Sequence, residues 1–280
     1  MTDAPSFNLK EDGSLWFQFD GLVAGAYQLK DSHKPYLHPV YTPKGFKLSL
    51  DRPHDHPHHK ALMFALRTDT HNYWEEYPVN EGDIVGRQCP QGEPELVAEG
   101  NTLICRHTLV WKGEGEADAQ MVEERTISCT YDDSAKVFEW KWKSCLTPKV
   151  DLQLDMSPYI PEPEEGTRVN YDGLGIRLRR EFGCTGGNQV TVDGEVLPLA
   201  EASGKLAKSV TYQGSIDEIW PVPKCTITFS SPEPMGVFVI DFPFAYLSFG
   251  PTVLEKPLWK ADEEKVIEYS IQVADVPATD

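Results

Sequence analysis

The chain has 280 residues, of which 26 are Lys or Arg and 44 are Asp or Glu, giving a formal net charge of −18. That charge repels a nucleic-acid backbone and an anionic lipid surface, so neither is expected as a partner. Hydrophobic residues at 40% and charged residues at 25% are ordinary globular usage and exclude wholesale disorder.

No run reaches the roughly 18 to 20 apolar residues of a spanning helix. The start, Met1–Lys10, lacks a basic segment followed by an apolar one. A soluble, cytoplasmic protein without a signal peptide is therefore expected. The cysteines at 89, 105, 129, 145, 184 and 225 include no CxxC pair. They read as reduced, mostly buried small hydrophobes rather than zinc ligands.

In chain order, the dominant period is two. Leu15, Phe17 and Phe19 alternate with polar residues, as do Phe46, Leu48 and Leu50. An apolar strand is expected at Ala61–Leu66, then β-rich runs at Thr102–Trp111, Val122–Tyr131 and Val137–Lys143. Alternation resumes at Val150, Leu152, Leu154 and Met156. Further runs follow at Gly175–Arg180, Cys225–Phe229 and Gly236–Phe242, and Ile267, Tyr269, Ile271 and Val273 close the chain. Each pattern puts one strand face on a core. Turns are expected at Asp132–Ser134, Gly186–Asn188 and Ser231–Pro234, and an exposed loop at Pro158–Gly166. No helical period is sustained. Strands joined by turns predict an all-β fold, a large antiparallel two-sheet sandwich in a single domain over 1–280.

The most informative stretch is Asp51–Glu76, DRPHDHPHHKALMFALRTDTHNYWEE. Five of the eight histidines fall between His54 and His71. His54, His56 and His58 alternate, so an extended backbone points all three to one side and His59 to the other. Pro53 and Pro57 favour such an extended, irregular loop. Clustered imidazoles serve as acids and bases near neutral pH or as ligands for a transition metal. Asp55, Glu75 and Glu76 are the nearby carboxylates, and Trp74 is a candidate platform for a sugar face.

Here the sequence resembles a family. DHPHHKALMFA followed by NYWEE is similar to the DHPHHRGLWFA…FWEE signature of proteins labelled "methane oxygenase PmoA". Pro35-Tyr36, Pro39-Val40-Tyr41, Gly173–Gly183 (GLGIRLRREFG) and Lys260–Ala274 fit the same pattern. Lys60 stands where arginine is usual, and Ala61-Leu62-Met63 replaces Gly-Leu-Trp. A lysine clamps an anion less well than the planar arginine fork. The resemblance implies soluble β proteins found among sugar-degrading genes, which points to carbohydrate. The expected sandwich also resembles the galactose-mutarotase supersandwich, whose members use a histidine acid and a glutamate base. Glu255, just before the last strand, resembles that base.

Arg177 and Arg179 alternate, so both are expected on one side of a strand with Arg180 opposite, as ion-pair partners or an anion site. Trp140 and Trp142 share a face and are expected in the core. Together these features point to a carbohydrate-active enzyme doing acid–base chemistry as an epimerase, isomerase, lyase or hydrolase. His56, His58, Glu75 and Glu255 are the catalytic candidates. His54, His59, Lys60, Trp74, Glu76, Arg177 and Arg179 are the substrate-binding ones. The alternatives are a metal-dependent, oxygenase-like enzyme with a divalent metal on His54, His56 and His58, and a non-catalytic carbohydrate-binding protein. No cofactor is firmly implied, and the oligomeric state is left open.

Overall fold

The period-two runs become strands, and their inward residues build one aromatic core between two layers. One layer carries Phe17, Tyr27, Phe64 and Phe249, and the other carries Trp111, Trp140, Trp142 and Tyr269. They meet across the interior: the Phe17 and Trp140 ring centroids lie 4.9 Å apart, and those of Phe64 and Trp111 lie 6.1 Å apart. Burying a large side chain of this kind contributes about 1.5–3 kcal/mol, so this seam is the main source of stability.

The structure is a computed structural model that describes residues 4–159, 168–183, 187–217 and 219–277. Cys184, most of the Pro158–Gly166 loop and Gly186 of the expected Gly186–Asn188 turn lie outside the described residues. The other five cysteines are free thiols. Among the described residues the helical content is one four-residue helix, Leu199–Ala202, and one 3-10 turn, Arg180–Phe182. None is long and apolar enough to cross a membrane. The fold is the expected all-β sandwich. Its layers are joined by shared pairings, so seventeen strands form one curled sheet, beside a two-stranded sheet of Leu152–Gln153 and Leu258–Trp259. Among the described residues, pairing is antiparallel except at His71–Asn72, which runs parallel to Ile84–Val85.

The central strand is Lys265–Asp275, paired with Val137–Pro148 on one side and Lys224–Ile240 on the other. Lys224–Ile240 corrects one expectation, because Ser231–Pro234 lies inside this strand rather than in a turn. The register jumps from Ser209↔Ser230 to Ala207↔Met235. The prolines sit in that exposed bulge, where a missing N–H costs no ladder bond. Two expected strands are also reduced. Phe46–Leu50 contributes only isolated bridges, such as Ser49↔Leu178. From Val150–Met156 only the two residues Leu152–Gln153 form a strand, and Leu154 adds an isolated bridge to Thr68.

Three short strands position the candidate site: Leu62–Ala65, Gly173–Arg177 and Tyr246–Gly250. They are adjacent and antiparallel, with Gly173–Arg177 in the middle. Every residue of all three is buried. Leu62, Phe64, Leu174, Ile176, Leu247 and Phe249 enter the main core. The alternate residues face outward, where Met63, Ala65, Trp74, Tyr36 and Tyr246 form a second apolar cluster. Gly175 is required there, since a Cβ would collide with the Tyr246 hydroxyl.

Candidate active site

The outer face of these strands is roofed by the histidine segment. Two consecutive turns shape it: the His56 N–H donates to the Pro53 carbonyl at 3.0 Å, and the His59 N–H to the His56 carbonyl at 3.0 Å. Its base is pinned where the Arg52 N–H donates to the His59 carbonyl at 2.9 Å. The extended loop expected from the prolines is therefore not formed. Pro57 occupies the second position of a four-residue turn, where its fixed φ fits, and the histidines are re-sorted. His54 is exposed and turns to Arg180, 3.4 Å from Nη2. His56, His58 and His59 converge instead. Their ring centroids lie 4.6 Å apart for His56 and His59, 4.7 Å for His58 and His59, and 5.8 Å for His56 and His58.

These three rings wall a cavity of about 500 Å³, within the range of small-molecule sites. The facing walls are aromatic: Trp74, Tyr77, Tyr159, Tyr171, Phe244 and Tyr246. Trp74 returns to the histidines because the intervening strand Leu62–Ala65 is only four residues long and the chain then folds back, the Tyr73 N–H donating to the Leu66 carbonyl. The Trp74 centroid then lies 5.2 Å from those of both His58 and His59.

Asp55 organises the polar side. Its carboxylate accepts from His56 Nδ1 at 3.1 Å, Arg177 Nη2 at 3.0 Å and Arg180 Nη2 at 2.7 Å. Burial opposes its ionisation, but the bonds from His56, Arg180 and Arg177 outweigh it and hold the carboxyl well below its usual range. An ionised Asp55 makes His56 Nδ1 the donor and leaves the Nε2 lone pair uncommitted to that bond. Arg177 also donates from Nη1 to His59 Nδ1 at 3.0 Å, while its guanidinium lies 3.7 Å from the Phe244 centroid. Burial pushes the His58 imidazole down to about 3, helped by Lys34, His56 and Arg177. Burial likewise drives His59 far down, with His58 and Arg177 adding to it. Both rings are neutral at physiological pH. His58 Nδ1 is buried without a hydrogen-bond partner.

Several expected site residues fall elsewhere. Glu75 does not line the cavity. It is fully buried behind the wall, accepting from Ser157 Oγ at 2.6 Å and from the Tyr171 hydroxyl at 2.9 Å. Arg67 stands 3.8 Å from it. Glu75 is linked to the cavity wall through Tyr171. Lys60 and Glu76 belong to a separate buried ion cluster. Lys60 pairs with Asp31 at 2.8 Å and with Glu76 at 3.5 Å, and Lys34 pairs with Glu76 at 2.8 Å. An ammonium so committed is no anion clamp for a ligand. Glu255 is exposed and is not among the cavity-lining residues. The Gly175–Arg180 run ends as a strand at Arg177, because the chain then enters the 3-10 turn. The expected alternation fails beyond that point, so Arg180, not Arg179, joins Arg177 on Asp55. Arg179 pairs with Glu181 at 2.6 Å.

The metal alternative does not fit the geometry, since His54 is turned away from His56 and His58. The one trio of His, Asp and Glu close enough to share a cation among the described residues is Asp31, His33 and Glu76. Its two carboxylates already hold the Lys34 and Lys60 ammoniums. Asp55, expected only as a nearby carboxylate, is the histidine partner, and its place between two histidines is a usable signal for that role. The cavity aromatics Tyr171, Phe244 and Tyr246 are distant in sequence from the motif and carry no comparable signal.

Fold and site define a β-sandwich protein with an aromatic and imidazole-walled cavity. Residues 14–280 match the model of the "Family of unknown function (DUF6807)", and the chain belongs to that family. No curated protein matches. Among solved structures, similarity is found to a heparan sulfate lyase HepC mutant from Pedobacter heparinus, with 9% identity and a TM-score of 0.37. That match covers 99% of this chain and spans 37% of the lyase chain.

Proposed function

We propose that the protein is an enzyme that transfers a proton on a carbohydrate, with His56 as the acid–base group and Asp55 as its orienting carboxylate. The observation that carries this reading is the Asp55–His56 pair on the wall of an aromatic cavity. A carboxylate on Nδ1 fixes the tautomer and leaves Nε2 to take or give the proton. Flat aromatic rings suit the C–H faces of a sugar, and neutral imidazoles suit its hydroxyls. The likeness of the DHPHH…WEE block to the PmoA-labelled family favours the same substrate class. His58 does not share the acid–base role, because an imidazole pushed to about 3 is almost never protonated at neutral pH.

The test is a turnover screen on sugars and oxidised glycosides with the wild type and His56→Ala. We expect loss of about 10²-fold or more in turnover with an unchanged circular dichroism spectrum. Full activity in the alanine variant removes His56 from the mechanism. Saturable sugar binding without turnover, unaffected by His56→Ala, makes the protein a binding module instead.

A further inference from the structure

We propose that Arg177 locks His59 as a neutral Nε2–H donor, and that the substrate is a sugar carrying a carbonyl whose oxygen this N–H holds while His56 removes the neighbouring carbon-bound proton. The inference rests on the reading of His56 above and specifies the substrate and step.

The lock follows from donor counting. A guanidinium has only donors, so the 3.0 Å contact between Arg177 Nη1 and His59 Nδ1 makes Nδ1 the acceptor. A neutral imidazole then carries its hydrogen on Nε2. The arginine cannot swing away freely. Its Nη2 is held by Asp55 at 3.0 Å, its plane lies over Phe244, and its side chain is 1% exposed. Arg177 thus spans the two histidines from behind. It fixes His59 directly and His56 through Asp55. It is a positioning residue, since it is not among the cavity-lining side chains.

The substrate class follows from what such a donor can do. A neutral imidazole N–H is far too weak an acid to hand its proton to a departing alcohol. It can only strengthen a hydrogen bond to an oxygen that gains negative charge. Glycoside hydrolysis ordinarily uses two carboxylates across the bond. Asp55 is the one carboxylate lining the cavity among the described residues, and three donors already hold it. Enolisation needs only a base and a neutral donor. His56 Nε2 takes the proton from the carbon beside the carbonyl. The C–H pair becomes the C=C bond, and the carbonyl π pair moves onto oxygen, facing His59 Nε2–H. The imidazolium of His56 then returns the proton to the former carbonyl carbon, while the proton of the hydroxyl on the neighbouring carbon passes to the former carbonyl oxygen and that hydroxyl becomes the new carbonyl, giving the isomer. Alternatively a β-substituent leaves with its bonding pair and takes that proton. No oxidant or second substrate enters. A carbon not adjacent to a carbonyl is beyond an imidazole base.

Two measurements test this. Nitrogen-15 spectra of the labelled protein, with His59 assigned through His59→Phe, read the tautomer without substrate. We expect a bare Nδ1 and a protonated Nε2 in the wild type, retained in Arg177→Lys and mixed in Arg177→Met. An Nδ1–H tautomer or an imidazolium at neutral pH in the wild type overturns the lock. In heavy water, proton spectra of D-fructose, D-glucose and a methyl keto-glucopyranoside should show enzyme-dependent exchange beside the carbonyl on at least one probe. His59→Phe should slow it by about 10²-fold. Absence of exchange on all three overturns the carbonyl assignment. Cleavage of an unoxidised glycoside that needs His56 but shows no exchange overturns it too, while the His56 reading survives.

Discussion

Asp55→Asn is the sharpest perturbation of the proposed chemistry, because it changes almost no volume. The carboxylate accepts from three groups, His56, Arg177 and Arg180, at 3.1, 3.0 and 2.7 Å. Asparagine offers one acceptor oxygen and one NH₂ group. Its oxygen is taken by the arginines, which can only donate. The NH₂ group is then turned to His56, which must present Nδ1 as an acceptor and move its hydrogen to Nε2. That tautomer has no lone pair at the reacting nitrogen. The full acid–base contribution of about 10² to 10⁴ is therefore at risk, or about 3–5 kcal/mol of barrier at 1.36 kcal/mol per decade. The assay is kcat/KM on whichever sugar the wild type turns over, with the His56 tautomer read by nitrogen-15 shifts. An asparagine variant within threefold of wild type, or one that keeps His56 Nδ1–H, refutes the reasoning.

Other outcomes follow from the same structure. Glu123→Ala should destabilise by about 3–5 kcal/mol in chemical denaturation, because fully buried Arg125 loses its bidentate partner at 2.7 Å; a loss under 1 kcal/mol contradicts this. Gly175→Ala should cost about 1–3 kcal/mol and weaken ligand binding, since the added Cβ displaces Tyr246 from the cavity wall; an unchanged melting curve and affinity speak against it. Acid should destabilise the fold well above the carboxylate range. Burial lowers His38 to about 4 and His58 and His107 to about 3, from 6.5. Their folded values are depressed, so their stability is complete above about pH 6.5 and is lost as pH falls toward 4, where the unfolded chain takes up protons that the folded one refuses. A melting temperature that stays flat between pH 7.5 and pH 5 is incompatible with this.

How much of this was legible depended on the range of the interaction. Alternation of side chains is local, so Leu15–Phe19 and Ile267–Val273 were readable as core strands, and Trp140 and Trp142 as core residues. Prolines mislead in both directions. At Ser231–Pro234 they sit in a strand, because a bulge absorbs them. At Pro53 and Pro57 they make turns where an extended loop was expected. Extended geometry groups His54 with His56 and His58, whereas a double turn groups His56 with its neighbours and turns His54 out. Charge partners were the least legible. Which carboxylate meets which cation is set by contacts such as Asp55 with Arg177, 122 positions apart, and no local period encodes them.

The same long-range pairing explains why adjacent histidines end with different chemistry. His56, His58 and His59 lie within four positions, and all three contact the cavity. What separates them is the third group each meets. His56 meets an anion and stays half-exposed, so its tautomer leaves a base nitrogen available. His59 meets a cation and is buried, so it is held neutral with the opposite tautomer. His58 meets mainly rings, those of Trp74, Tyr77 and its two neighbours, and its Nδ1 has no partner. The pKa depression of a buried imidazole costs stability at acid pH and not near neutral pH, where the ring is uncharged in both the folded and the unfolded chain. Arg177 imposes the difference between His56 and His59, since one guanidinium holds His59 directly and His56 through Asp55. Removing its charge should therefore release the His59 tautomer, while Asp55, still paired with Arg180, keeps that of His56.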